Sequence, residues 1–182
     1  MPYNSQGEWT PPAGFEDFDQ EGMFQQSQTE LPELIGDLIG GYANFADFES
    51  AVGSAGLSDI LTGGTAEFES LDDVYQYIAD FTTPFDMSEI SNLKSDARDQ
   101  KTKNLESMYA ESMKARSLAG RSGFASSLAG NIRQNDLWTE YINKNKVLTE
   151  NLKAGIYQAK GDYLDNLFIE IAETYNLLLG DN

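Results

Sequence analysis

Apolar residues recur three and four apart along most of this chain, and the places where that rhythm breaks divide it. Leu31, Leu34, Ile35, Leu38 and Ile39 form one helical stripe, stopped by Gly40 and Gly41. Ser70-Leu-Asp-Asp73 has the form of a capping box, with Val74, Tyr77, Ile78 and Phe81 behind it on one face and Pro84 as a stop. Asp86-Met-Ser-Glu89 opens a longer run: Ile90, Leu93, Ala97, Leu105, Met108, Tyr109 and Met113, interrupted by polar residues around Lys101. This run predicts a helix over about 87–118. Asn131-Ile-Arg-Gln134 resembles a further cap. Behind it come Trp138, Tyr141, Leu148, Leu152, Ile156, Ala159, Tyr163, Leu167, Ile171, Tyr175 and Leu178. Spacings of three, four and seven make this close to a heptad seam. It predicts a proline-free helix over 132–178, roughly 70 Å long at 1.5 Å per residue.

The expected fold is therefore all-α, a long helical hairpin preceded by short acidic helices and an extended arm. The expected divisions are an arm at 1–28, a short-helix region at 29–85 and the hairpin at 86–182. The arm is polar and broken by Pro11 and Pro12. Its aromatic residues Trp9, Phe15, Phe18 and Phe24, with Met23, are the expected anchors on a partner, because aromatic side chains dominate interface energetics. Leu137, Ile142, Val147, Tyr157, Leu164, Phe168 and Ile169 widen the apolar face of the last helix beyond what two helices can cover. Both the N-terminal helices and other subunits are expected to cover it. The expected oligomer seam is Trp138, Tyr141, Leu148, Leu152, Ile156, Tyr163 and Leu167.

Charge sharpens this picture. The net charge is −18, and the first basic residue is Lys94. The acidic first half repels nucleic acid and anionic membrane and favours a basic protein surface. Neither direct nucleic-acid binding nor a membrane role is expected. The chain has 182 residues, no cysteine and no histidine. That excludes disulfides and cysteine nucleophiles, and removes the commonest general base and transition-metal ligand. No apolar run reaches the ~18 to 20 residues of a membrane span. The N-terminus lacks the basic start and apolar run of a secretory signal, so a soluble protein used where it is made is expected. No enzymatic activity and no cofactor are expected.

Three stretches could carry chemistry. Lys114–Asn131 gathers Gly120, Gly123 and Gly130 among serines and arginines. A phosphate cradle would need Gly-Lys-Ser/Thr after a strand, which is missing here. The favoured reading is a corner between helices, with Gly120 or Gly123 as the left-handed cap and Phe124 as a plug. Asp17, Asp19 and Glu21 followed by Gly22 have the opening spacing of a calcium loop, but Gln28 stands where the bidentate glutamate belongs. A flexible acidic arm is the simpler account. Phe-Glu-Asp-Phe-Asp at 15–19 and Phe-Ala-Asp-Phe-Glu at 45–49 are near-copies, readable as repeated contacts on a partner or as chance in a Phe- and acid-rich half. Asp72 and Asp73 fit a solvated helix start better than a catalytic pair.

Arg121-Ser-Gly-Phe-Ala-Ser-Ser127, set between long Asn- and Gln-rich helices, resembles segments of tailed-bacteriophage virion proteins. The resemblance covers roughly the C-terminal half. It implies a non-enzymatic component built into the particle after assembly in the host cytoplasm: a ring near the portal or tail, or an internal component. It also implies self-association and partners among other virion proteins with basic surfaces. The acidic first half departs from the pattern and argues against DNA wrapping. The alternative is an acidic interaction module or inhibitor that blocks a basic cleft.

Overall fold

A computed structural model describes residues 4–11, 19–40, 44–52, 68–121 and 128–179. The described residues form six helices and no strands: α1 Gln20–Thr29, α2 Leu31–Ile39, α3 Phe45–Val52, α4 Leu71–Asp80, α5 Met87–Arg121 and α6 Leu128–Leu179. The all-α architecture with a long C-terminal hairpin stands. The chain divides into two compact units, Met1–Phe85 with Lys160–Asn182, and Asp86–Ala159.

The expected three-way division is corrected by this arrangement, because the last turns of α6 belong with the N-terminal helices. The first unit builds its core from them. Met23, Leu34, Ile35, Phe48, Val74 and Ile78 from α1–α4 are fully enclosed, as are Leu164, Leu167 and Leu178 from α6. Each such side chain contributes about 1.5–3 kcal/mol by leaving water. The helix starts are satisfied locally. Ser70 accepts from the Asp73 amide at 3.2 Å, while the Asp73 carboxylate accepts from the Ser70 amide at 2.9 Å, the predicted capping box. Asn44 and Asp47 close the start of α3 in a related way. Gly36 in α2 is forced by packing. A methyl there would lie 2.9 Å from the ring of Tyr75 on α4, so the missing side chain lets these helices meet.

Residues 20–29 correct the expectation of an extended arm. They are helical because the Asp19 side chain accepts from the Gly22 amide at the start, and Gln20, Met23, Phe24 and Ser27 lie on one buried face.

The second unit is an antiparallel hairpin. Asp86 accepts from the Ser88 amide at 2.8 Å and starts α5. Ile90, Leu93, Ala97, Asn104, Met108 and Ala115 form its inward stripe, and Gln134, Leu137, Tyr141, Asn145, Leu148, Leu152, Gly155 and Ala159 form the facing one. Leu93 approaches Gly155, and Asn104 donates to Asn145 at 3.2 Å, so residue numbers fall on one helix as they rise on the other. A polar pair within a largely apolar seam favours this register, because a slip leaves two half-buried amides without partners.

At the corner one of the two cap candidates is removed, and the expected helix start shifts. Gly120 is helical and has no positive φ; the one described residue with positive φ is Gly7. Asn131 lies inside α6 rather than at its cap, since the helix begins at Leu128. Gly123 and Phe124 lie outside the described residues.

Candidate interaction surfaces

The expected partner anchors divide between this chain's own core and residues that are not described. Trp9 is buried. Its indole Nε1 donates to Asp165 at 3.3 Å and its ring lies 6.3 Å from that of Phe168. Phe24 is buried edge-on against Phe85 at 4.9 Å and Tyr163 at 5.9 Å. These two are corrected from partner anchors to internal ones: the last turns of α6 supply the apolar surface that the sequence suggested a partner would supply. Phe15 and Phe18 lie outside the described residues.

Two of the three calcium candidates have partners within this chain. Asp19 caps α1, and Glu21 accepts from Lys160 at 2.6 and 2.7 Å. Asp17 lies outside the described residues. Among the described residues no group of three acidic side chains gathers as a metal site. Lys160 also lies 4.5 Å above the Phe24 ring, and its side chain is 13 % exposed. This hydrogen bond holds the Glu21 carboxyl below the usual glutamate range, against a smaller upward push from burial. Asp165 goes the other way, pushed up by burial, with the Trp9 bond opposing and Asp162 adding to it.

The expected oligomer seam also divides. Tyr163 and Leu167 pack inside the first unit. Tyr141, Leu148 and Leu152 lie half-buried on the stripe facing α5, and Ile156 is half-buried beside it. Heptad spacing revealed the seam but could not say which helix it meets, and α5 of the same chain meets it. Trp138 lies off that stripe and stays 49 % exposed.

Two surfaces remain. On the hairpin, Tyr109, Met113, Trp138, Ile142 and Val147 are 49–68 % exposed. Met108, Tyr109 and Met113 of α5 and Leu137 and Trp138 of α6 line a groove of about 150 Å³, with Arg116 and Gln134 at its edge. A second, wider groove of about 620 Å³ lies along Asn104, Asn143, Lys144, Val147 and Leu148. On the first unit, Tyr75 lies between α2 and α4, where burial raises its hydroxyl pKa, and the charges of Asp72 and then Asp37 raise it further. A hollow beside α1 and α4, about 400 Å³, is lined by Gln28, Gln76, Asp80, Thr82 and Tyr163.

The charge follows the units. Residues 86–159 hold 11 basic and 9 acidic side chains, net +2, and the remaining residues hold 1 and 21, net −20. The single base of the first unit is Lys160, already paired with Glu21. Sequence reading placed the acid in the first half of the chain but missed that the end of α6 joins it.

Comparison of the chain with family models, with curated proteins and with solved structures gives no match. No helix among the described residues is long and apolar enough to cross a membrane.

Proposed function

We propose that this chain is a non-enzymatic assembly protein that associates with copies of itself through its helical hairpin. The observation that carries the reading is the set of large side chains, Tyr109, Met113, Trp138, Ile142 and Val147, left about half or more exposed on a two-helix unit, with Tyr109, Met113 and Trp138 lining one groove and Val147 another. A soluble unit gains by covering such a patch, and helices gain most by packing on further helices. The resemblance of residues 121–127 to tailed-phage virion proteins supports a place in the particle, as a portal- or tail-proximal ring or an internal component. Other virion proteins with basic surfaces are the natural partners of the acidic unit.

Sedimentation velocity on the full chain at low and moderate salt tests this reading. A concentration-dependent oligomer is expected, and electron micrographs of it should contain discrete rings or stacks. A monomer at every concentration rejects self-association. A second reading would then hold, favoured by the net −20 of a unit whose one cation is already paired. In it the chain is an acidic module that blocks a basic protein surface. Its sign is a monomer that binds a basic partner with steep salt dependence.

A further inference from the structure

We infer that the self-association proposed above, on which this inference rests, is head to tail: the basic, apolar groove on the hairpin of one copy docks on the acidic α2–α4 face of a second copy. The donor surface combines two features. Its floor is apolar, with Met113 68 % exposed and Trp138 beside it. Its charged lining residue is the cation Arg116, and between Ser112 and Asn135 the sequence holds four basic residues and no acid. All four, Lys114, Arg116, Arg121 and Arg133, are exposed.

The acceptor has the opposite chemistry. Asp37 on α2 and Asp72 on α4 are exposed, and both act on the half-buried Tyr75. Glu33, Asp73 and Asp80 add charge on the same two helices. An arginine plane can stack on a tyrosine ring while its N–H groups meet flanking carboxylates.

Charge decides between the possible pairings. A symmetric contact between two hairpin ends sets four cations against four cations. A symmetric contact between two acidic units sets −20 against −20. Only the mixed pairing brings opposite signs together, and like-charge contacts are the ones that interfaces exclude. A head-to-tail contact uses different patches on the two copies. It therefore leaves one of each free at the ends, and closes into a ring or continues as a filament.

The test uses the full chain and two double variants. Arg116→Ala with Trp138→Ala disables the groove, and Asp37→Arg with Asp72→Arg disables the acidic face; circular dichroism checks that both keep their helicity. Each variant alone is expected to sediment as a monomer. Mixed, they are expected to form a 1:1 pair and nothing larger, because one intact groove meets one intact face. Wild-type association should weaken at least about tenfold between low and high salt, as screening shortens the Debye length from about 10 Å to 3 Å.

If the acidic-face variant still dimerises like the wild type, the contact is hairpin on hairpin. The head-to-tail inference then falls and the assembly reading stands. Salt-insensitive wild-type association has the same consequence, and it decides the matter even if a variant fails to fold. A wild-type monomer at all concentrations removes both.

Discussion

Helix α6 passes through two environments, and its residues behave differently in each. From Leu164 to Leu178 it buries Leu164, Leu167, Ile171 and Leu178, and this end of the helix meets α1 and the segments at Trp9 and Thr83–Phe85. From Trp138 to Leu152 it faces α5, and Trp138, Ile142 and Val147 stay at least 49 % exposed. The sequence pattern is much the same in both stretches. What differs is how many neighbours the chain supplies. An apolar stripe thus states a demand for cover, and only the tertiary structure states where the cover comes from.

The largest test of this contrast is a pair of truncations on the one helix. Leu167→Ala should cost about 3 kcal/mol, because it opens a cavity in an enclosed core, and Leu148→Ala about 1 kcal/mol on the half-open seam. Equal losses in denaturant titrations would break the comparison. Two glycines sharpen it next. Gly36→Ala should destabilise by about 1–2 kcal/mol, since the new methyl would lie 2.9 Å from the Tyr75 ring. Gly155→Ala should stabilise by about 0.5–1 kcal/mol, since Leu93 is a comfortable 3.6 Å away and alanine is the better helix former. Matching signs in thermal melts would refute the packing described for one of the units.

A smaller gain is expected from Tyr77→Phe. Among the described residues the Tyr77 hydroxyl is enclosed with no hydrogen-bond partner, and its ring packs against those of Phe68 and Phe81. Removing it should add about 1 kcal/mol, and a loss of stability in thermal melts would mean that the hydroxyl is partnered after all. Lys160→Met should cost about 1 kcal/mol, because the solvent-exposed Glu21 end of the pair is screened. Its pH signature is specific. Glu21 is held below its ordinary value, so its contribution is full above that value and is lost as the pH falls through the lowered one. The Lys160→Met protein should lack that acid-side loss. Asp165→Asn is the smallest effect and opposite in sign. The raised Asp165 pKa makes wild-type stability fall as the pH rises from the ordinary aspartate value through the raised one, and the variant should remove that slope.

Local signals were legible in the sequence where they involve neighbours in the chain. The Ser70–Asp73 box is present because both of its hydrogen bonds close within four residues. The same signature at Asn131–Gln134 does not mark a helix start, because α6 already begins at Leu128. Gly120 reads as a stop, and α5 does end one residue beyond it at Arg121, but Gly120 itself is helical and is not a left-handed cap. The anchors were misread for a reason at longer range. Trp9 and Phe24 announce buried contacts, but Asp165, Tyr163 and Lys160 lie more than 130 positions away. No pattern in either segment names the other.

The placement of Lys160 governs how this protein answers to trypsin. No cleavage is possible before Lys94, so the N-terminal helices leave digestion as one piece whether folded or not. Within the first unit the only susceptible bond follows Lys160, whose side chain is closed between Glu21 and the Phe24 ring. Cutting at that one bond reports directly on whether α1 has lifted from α6. Eleven other sites, all in the hairpin unit, report on the hairpin alone.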